Sequence, residues 1–114
     1  MIKLLTAVIR PHRVDAVRDA LLAAGASGLT LTEVRGCDRD GDQTEVYRGA
    51  EYAVAAVTGI RLEVVVDLFE AERLAEVLTA AAFTGHRGDG KLWISDVDEV
   101  RRIRTGERGL DAVQ

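Results

Sequence analysis

Several chemically informative residue types are scarce in this sequence: its 114 residues include one cysteine, one proline, two lysines and no asparagine. The single Cys37 cannot form an internal disulfide, which is consistent with a reducing compartment. No apolar run approaches the roughly 20 residues that cross a bilayer, so no membrane insertion is predicted. Residues 1–11 also lack the apolar stretch and cleavage site of a secretion signal. These absences together predict a cytoplasmic protein.

The same scarcities argue against three function classes. A net charge of -4 disfavours nucleic-acid binding, which depends on a basic surface that neutralises phosphates. Aromatic residues make up only 4% of the chain, too few for a sheet that stacks RNA bases. An acylphosphatase-like enzyme pairs an arginine with an asparagine, and the chain has no asparagine. RNA binding is therefore disfavoured, and that phosphatase chemistry is excluded.

No catalytic constellation is evident either. His12 and His86 lie far apart in the sequence, and Cys37 has neither histidine near it. A nucleophile requires an adjacent base, and an acidic neighbourhood raises the pKa of a thiol. We therefore predict that the protein is not an enzyme and that Cys37 is inert.

Length and composition indicate one globular domain covering residues 1–114. Apolar residues account for 47% of the chain and charged residues for 30%, with a mean hydropathy of +0.02. These values are typical of a folded, water-soluble protein. The chain is long enough to bury a core, yet short enough for a functional site to require a second copy.

The first half of the chain alternates between strand and helix patterns. Residues 2–10 are apolar on both faces, which predicts a central strand, and Pro11 ends it. Helical spacing then continues until Gly25, carried by Val14, Val17, Leu21 and Ala24. Residues 29–36 alternate again as a second strand. Residues 37–59 are polar and rich in glycine, and this loop is far longer than ordinary connections.

The second half repeats the order of the first. Residues 60–66 form the clearest strand, and Asp67 with Glu70 resembles a capping box that starts a helix. The buried stripe of this helix is predicted to be Leu74, Val77, Leu78 and Ala81. Residues 91–95 and 100–104 complete the pattern as extended segments. The order predicts an α+β, ferredoxin-like βαββαβ fold.

Glycine and basic residues near the C-terminal end suggest phosphate binding. Residues 88–91 read GDGK, so flexible backbone whose N–H groups can approach an anion precedes an ammonium group. Arg102 and Arg104 lie two apart on a predicted strand, so both guanidinium groups would project from one face. A hairpin turn with a solvated charged surface is the alternative. Lys91 is one of only two lysines, which reflects either codon usage or selection as a phosphate ligand.

Three motifs closely resemble the PII nitrogen-regulatory family: TEVYRGAEY at 44–52, TGHRGDGK at 84–91 and IRTGERG at 103–109. The similarity runs essentially end to end and includes RLEVVV at 61–66. The resemblance implies a homotrimer with three nucleotide sites in the clefts between subunits. A mobile T-loop, here residues 37–59, would cover each site, and residues 105–114 would form a C-terminal loop.

The resemblance also implies which residues bind ATP or ADP. Thr30 and Val65 would lie near the adenine and ribose, and Gly88, Asp89, Gly90 and Lys91 would surround the phosphates. The remaining nucleotide-binding residues would be Arg39, Arg102, Ile103 and Arg104, with Arg102 and Arg104 supplied by the neighbouring subunit. ATP and ADP would stabilise different T-loop conformations, each selecting its own partners.

The implied partners are an ammonium transporter, enzymes of nitrogen metabolism and a nucleotidyltransferase, all contacted through the T-loop. A transporter partner would recruit the protein to the membrane. Tyr52 aligns with the tyrosine that is uridylylated or adenylylated in many family members, and Tyr47 is a weaker candidate. An ordinary exposed loop tyrosine is the alternative.

Three positions depart from the family pattern. Typical members bind 2-oxoglutarate beside ATP and magnesium with a glycine, a glutamine and a lysine, where this chain has Asp38, Asp40 and Gly59. The added carboxylates and the missing cation would repel a dianion. We therefore predict weakened or lost 2-oxoglutarate sensing, with magnesium reached only through Asp40 and the nucleotide. The alternative is a divergent regulator of another transporter or carbon process that senses AMP, cyclic AMP or bicarbonate.

Overall fold

The computed structural model describes residues 1–37, 44–47, 50–53 and 56–114, with side chains for residues 1–37 and 56–114. In chain order, the elements are β1 (Ile2–Ile9), α1 (Val14–Ala23), β2 (Thr30–Gly36), β3 (Thr44–Tyr47), β4 (Ala50–Ala53), β5 (Val57–Asp67), α2 (Leu68–Ala82) and β6 (Lys91–Val97). Short 3-10 helices occupy Pro11–Arg13 and Gly109–Ala112. No helix in the described part of the chain is long and apolar enough to span a bilayer.

Four of the strands form one antiparallel sheet in the order β2-β5-β1-β6. The strands β1 and β5 are therefore central, and β2 and β6 lie at the edges. This arrangement confirms the predicted ferredoxin-like α+β fold. The long 37–59 segment contains a separate ribbon in which β3 pairs with β4, and β5 begins at Val57 rather than at residue 60.

Both helices pack on one face of the sheet and enclose an aliphatic core. Its members are at most 7% exposed: Leu5, Ala7, Ile9, Val17, Leu21, Leu62, Val64, Val66, Ala71, Leu74, Ala75, Leu78 and Ala82. Of the stripe predicted for α2, Leu74 and Leu78 are buried, while Val77 and Ala81 pack half-buried at the core margin. Each fully buried leucine stabilises the fold by about 1.5–3 kcal/mol.

The start of α2 follows the predicted signal in part. The Asp67 side chain accepts a hydrogen bond from the Phe69 amide at 3.2 Å, as an N-cap residue does. The Glu70 carboxylate accepts from Arg73 Nε at 2.7 Å, one turn further along the helix. Asp67 therefore caps α2, and Glu70 forms an ion pair on its surface.

The other face of the sheet is not covered by the helices, and we call it the open face. Strand pleating and register assign it the alternate residues of each strand: Thr30, Thr32 and Val34; Gly59, Arg61, Glu63 and Val65; Leu4, Thr6 and Val8; Lys91, Trp93 and Ser95. Three predicted site residues, Thr30, Val65 and Lys91, thus share one surface.

The predicted strand at 100–104 is wrong. Residues 103–105 form a turn, and Arg101 bridges antiparallel to Arg108 in a small C-terminal hairpin. The Glu99 carboxylate accepts from Arg101 Nε at 2.9 Å and from Arg108 Nε at 2.6 Å, which joins the two sides of the hairpin. These donors, Arg101 first, lower the pKa of Glu99. Basic and apolar residues alternate over 100–104, and this pattern is typical of a strand. The pattern carries no information about the hydrogen bonds to Glu99 that fold the segment into a hairpin instead.

Candidate functional site

The glycine loop, residues 84–90, joins α2 to β6 beside the open face. Gly85, Gly88 and Gly90 have φ values of 84°, 91° and 102°, in the region that favours glycine. Gly90 is the most constrained, because a Cβ there would lie 1.7 Å from the Val8 carbonyl oxygen. The last glycine therefore allows the loop backbone to run directly against the central strand β1.

The Asp89 side chain holds this loop together from inside. Its carboxylate accepts hydrogen bonds from the Thr84 hydroxyl, from the Thr84 amide at 2.8 Å and from the Gly85 amide at 3.0 Å. Arg10 Nε adds a fourth bond at 3.2 Å. These donors, the Thr84 hydroxyl first, hold the pKa of Asp89 far below its usual range, so the carboxylate is ionised at neutral pH. Asp89 lies among the predicted phosphate-binding residues, but its carboxylate is directed to the loop's own donors.

Arg10 connects the loop to the sheet. It directly follows β1, and its Nη2 also donates to the Arg87 carbonyl oxygen. The side chains of Arg10 and Asp89 are 31% and 22% exposed, so their ion pair is partly shielded from water. The glycine loop is thus attached to the end of β1 at two of its residues.

A first cavity of about 720 Å³ opens beside the glycine loop. Three predicted phosphate-binding residues, Gly88, Gly90 and Lys91, line its wall. The other charged side chains on the wall are all arginines, Arg10, Arg35 and Arg61, and the His12 imidazole and the Cys37 thiol line it as well. No aspartate or glutamate among the described residues lines this cavity. In a chain of net charge -4, this concentration of cations marks a surface suited to an anion.

The cations of the first cavity differ in how far they are already paired. Arg61 Nε lies 3.6 Å from a Glu63 carboxylate oxygen, and Arg10 is bound to Asp89. Arg35 and Lys91 take part in no ion pair within residues 1–37 and 56–114. Their charges are therefore the ones that a bound anion can neutralise.

A second cavity, of about 680 Å³, lies elsewhere on the same sheet. Thr30, Val65 and Arg102 line it, together with the C-terminal residues 112–114. Ser27 anchors this C-terminal segment by donating from Oγ to the Val113 carbonyl oxygen at 2.6 Å. Within one copy of the chain, the predicted adenine residues and Arg102 thus share the second cavity, whereas the phosphate-binding residues predicted at 88–91 line the first.

Ile103 and Arg104 belong to the turn of the C-terminal hairpin and line neither cavity. Ile103 is fully exposed, which is unusual for so large an apolar side chain. Gly59 is buried and lines the first cavity. Five predicted positions lie outside the described residues or have side chains outside them: Asp38, Arg39, Asp40, Tyr47 and Tyr52. Their predicted roles stay predictions.

Sequence reasoning missed Arg10, Thr84 and Arg35 as parts of this site. Thr84 and Asp89 lie five residues apart in one loop, so the hydrogen bond from the Thr84 hydroxyl to the Asp89 carboxylate could have been predicted from the sequence. Arg10 and Asp89 are 79 positions apart, and only the β1–β6 pairing brings them together. Arg35 was not predicted as a site residue, because an arginine at the end of a strand is normally just a solvated surface charge.

Fold and site together define a ferredoxin-like α+β domain with a basic cavity beside its glycine loop. The family model for Nitrogen regulatory protein P-II matches residues 2–107. The chain is 47% identical to the Nitrogen regulatory protein P-II of Rhizobium meliloti over 111 residues, covering 97% of this chain and 99% of the relative. The protein of the same name from Synechocystis sp. shows the same identity and coverage. The chain therefore belongs to the nitrogen regulatory protein P-II family.

A solved structure agrees with this assignment. The crystal structure of Arabidopsis thaliana PII bound to citrate superimposes with a TM-score of 0.81 at 33% sequence identity. The match covers 99% of this chain and 90% of that one. The P-II fold thus extends over nearly the whole chain.

Proposed function

We propose that this protein is a P-II signal-transduction protein that binds ATP or ADP and transmits the bound state to partner proteins through residues 37–59. The observation that carries the proposal is the first cavity, where glycine-loop backbone and Lys91, which forms no ion pair among the described residues, share a wall with three arginines and no described carboxylate. Backbone N–H groups and unpaired cations are the groups that bind phosphates in proteins. The proposed role is regulatory and requires no covalent chemistry.

We infer further that the nucleotide site lies between subunits of a homotrimer. The division of the predicted residues between two cavities supports this arrangement, since Lys91 of one copy would face Thr30, Val65 and Arg102 of the next. A closed three-fold assembly would generate three equivalent sites. It would also cover Ile103, which is fully exposed in one copy.

Partner choice would follow from the conformation of residues 37–59. Both ends of this segment, at Cys37 and at Val57, line the first cavity, so a bound nucleotide would contact them directly. The proposed partners are an ammonium transporter, enzymes of nitrogen metabolism and a nucleotidyltransferase that modifies Tyr52. The proposed location is the cytoplasm, with membrane recruitment by the transporter.

We also propose that 2-oxoglutarate sensing is weakened or lost. Gly59 lines the first cavity at a position where the family resemblance implies a lysine. The positive charge that would attract the 2-oxoglutarate dianion is therefore missing there. A Cβ at Gly59 would lie 3.2 Å from Val8 Cγ1, so a larger residue fits there only if Val8 shifts slightly. The alternative effectors AMP, cyclic AMP and bicarbonate belong in the same ligand screen.

Calorimetric titration with ATP and ADP tests the nucleotide site. Lys91→Ala should weaken both nucleotides by on the order of ten- to a hundredfold, because a charge-assisted hydrogen bond contributes about 1.5–3 kcal/mol. Lys3→Ala is the matched control: it removes the chain's other lysine, whose Nζ pairs with Asp96 away from both cavities. Absence of binding by the wild type at millimolar nucleotide would refute the proposal.

Mixed trimers test whether the site is shared. Lys91→Ala and Arg102→Ala chains are each expected to bind poorly, but after unfolding and refolding together about a quarter of the sites would combine an intact Lys91 with an intact Arg102. Recovery of that fraction of nucleotide sites supports the shared site. No recovery in mixtures that light scattering shows to be trimeric would place the whole site within one chain.

A further inference from the structure

The glycine loop owes its shape to a contact outside it. Its backbone is held to β1 at two points: Gly90 abuts Val8, and Arg10 reaches both Asp89 and the Arg87 carbonyl oxygen. The strand β1 is paired on both sides, with β5 and with β6, so it is a rigid support. The loop position therefore depends on how firmly these two attachments hold.

The two attachments of the loop to β1 differ in the kind of contact that they make. Gly90 fits against Val8 by steric shape alone. Arg10 instead binds the loop through two polar contacts, and one of them uses the same Asp89 carboxylate that accepts from the Thr84 and Gly85 amides. Removing Arg10 leaves that carboxylate with fewer donors and frees the middle of the loop. Gly88, which lines the first cavity, would then lose the support of the Arg10 contacts made by the residues on either side of it.

We propose that Arg10 is a positioning residue for the anion cavity, acting through Asp89 to orient the glycine-loop backbone toward phosphate oxygens. The inference rests on the proposed nucleotide function. Arg10 lines the cavity wall itself, so the alternative is that its guanidinium binds phosphate directly. The two roles differ in the partner that they need: positioning acts through Asp89, whereas direct phosphate contact does not depend on Asp89.

The test measures ATP and ADP affinity of Arg10→Ala, Arg10→Lys, Asp89→Asn and the double variant Arg10→Ala/Asp89→Asn. Positioning predicts that Arg10→Ala weakens both nucleotides by on the order of tenfold. It predicts that Arg10→Lys restores little of the loss. It also predicts that Arg10→Ala adds little in the Asp89→Asn background, because the residue it acts through is already altered. Arg18→Ala, on the exposed surface of α1 where it pairs with Asp15, controls for the loss of one arginine charge.

A readout without nucleotide accompanies these titrations. The Thr84 and Gly85 amides, which donate to Asp89, should exchange their hydrogens several times faster in Arg10→Ala than in the wild type. Melting temperature and trimer mass should stay near wild type, which separates loop positioning from general destabilisation.

Each outcome decides between the alternatives. Wild-type affinity in Arg10→Ala overturns the inference and leaves the proposed function standing. An undiminished loss in the Asp89→Asn background assigns Arg10 to direct phosphate contact and also overturns the inference, whether or not lysine rescues binding. Failure of the wild type to bind either nucleotide overturns the proposed function and this inference together.

Discussion

Substituting Gly90 by alanine should strongly destabilise the protein. The added Cβ would lie 1.7 Å from the Val8 carbonyl oxygen and 2.9 Å from the Val8 carbonyl carbon. These are backbone atoms of a central strand, and Val8 pairs with Arg61 on one side and Lys91 on the other. The strand cannot retreat without losing sheet hydrogen bonds, so the loop has to move.

The magnitude has two sources. A non-glycine residue at a φ of 102° carries backbone strain of about 1–3 kcal/mol. Overpacking against a rigid neighbour typically adds about 1–3 kcal/mol. The free energy of unfolding should therefore fall by about 2–6 kcal/mol, a large share of the ~5–15 kcal/mol of a typical domain.

Gly106→Ala is the matched control, because Gly106 also has a positive φ, of 83°, but open space where a Cβ would lie. Its expected cost is the backbone strain alone, about 1–3 kcal/mol. Urea denaturation at one fixed protomer concentration measures both variants, since assembly makes stability depend on concentration. Equal losses in the two variants would refute the reasoning about Val8.

Three further perturbations test the rest of the structure. Leu62→Ala should lower the free energy of unfolding by about 2–5 kcal/mol in urea denaturation, because Leu62 is fully buried in β5. Asp67→Ala should cost about 1 kcal/mol through loss of the Phe69 cap, whereas Asp67→Asn should retain most of it. Because folding lowers the pKa of Asp89, its ionised form stabilises the protein above the unfolded pKa of about 3.9 and loses that effect as the pH falls further. The difference in melting temperature between wild type and Asp89→Asn should therefore be constant near neutral pH and shrink below about pH 4. A difference that stays the same in acid would contradict the hydrogen bonds assigned to Asp89 in the loop.

The fold was predictable because its signals are local. The two-sided apolar pattern of β1 and the spacing of Leu74 and Leu78 report burial directly, and burial is what holds the sheet and helices together. The N-cap at Asp67 was likewise visible within three residues of the helix start. The C-terminal hairpin was not predicted in the same way, because its geometry depends on the hydrogen bonds of the Glu99 carboxylate rather than on apolar periodicity.

The candidate site was predictable only in part. The glycine loop and Lys91 were identified from residue chemistry, and the structure brings them to one cavity wall. The spacing argument for Arg102 and Arg104 was wrong, because a turn follows Arg102. Arg10 could not be found at all, since the sheet pairing that places it beside Asp89 is a property of the whole fold.

The placement of the first cavity bears on how binding would become a signal. Gly36 and Cys37, at the end of β2, and Val57 to Gly59, at the start of β5, line the same cavity as the glycine loop. A ligand shifts a conformational equilibrium only by contacting the alternative states unequally. The glycine loop is anchored to β1 and would offer an anion a fixed surface, and the two ends of the 37–59 segment line the same cavity. If the proposed function holds, a nucleotide in this cavity would touch both the glycine loop and the two ends of that segment, and a difference of one phosphate would change the charge that those ends meet.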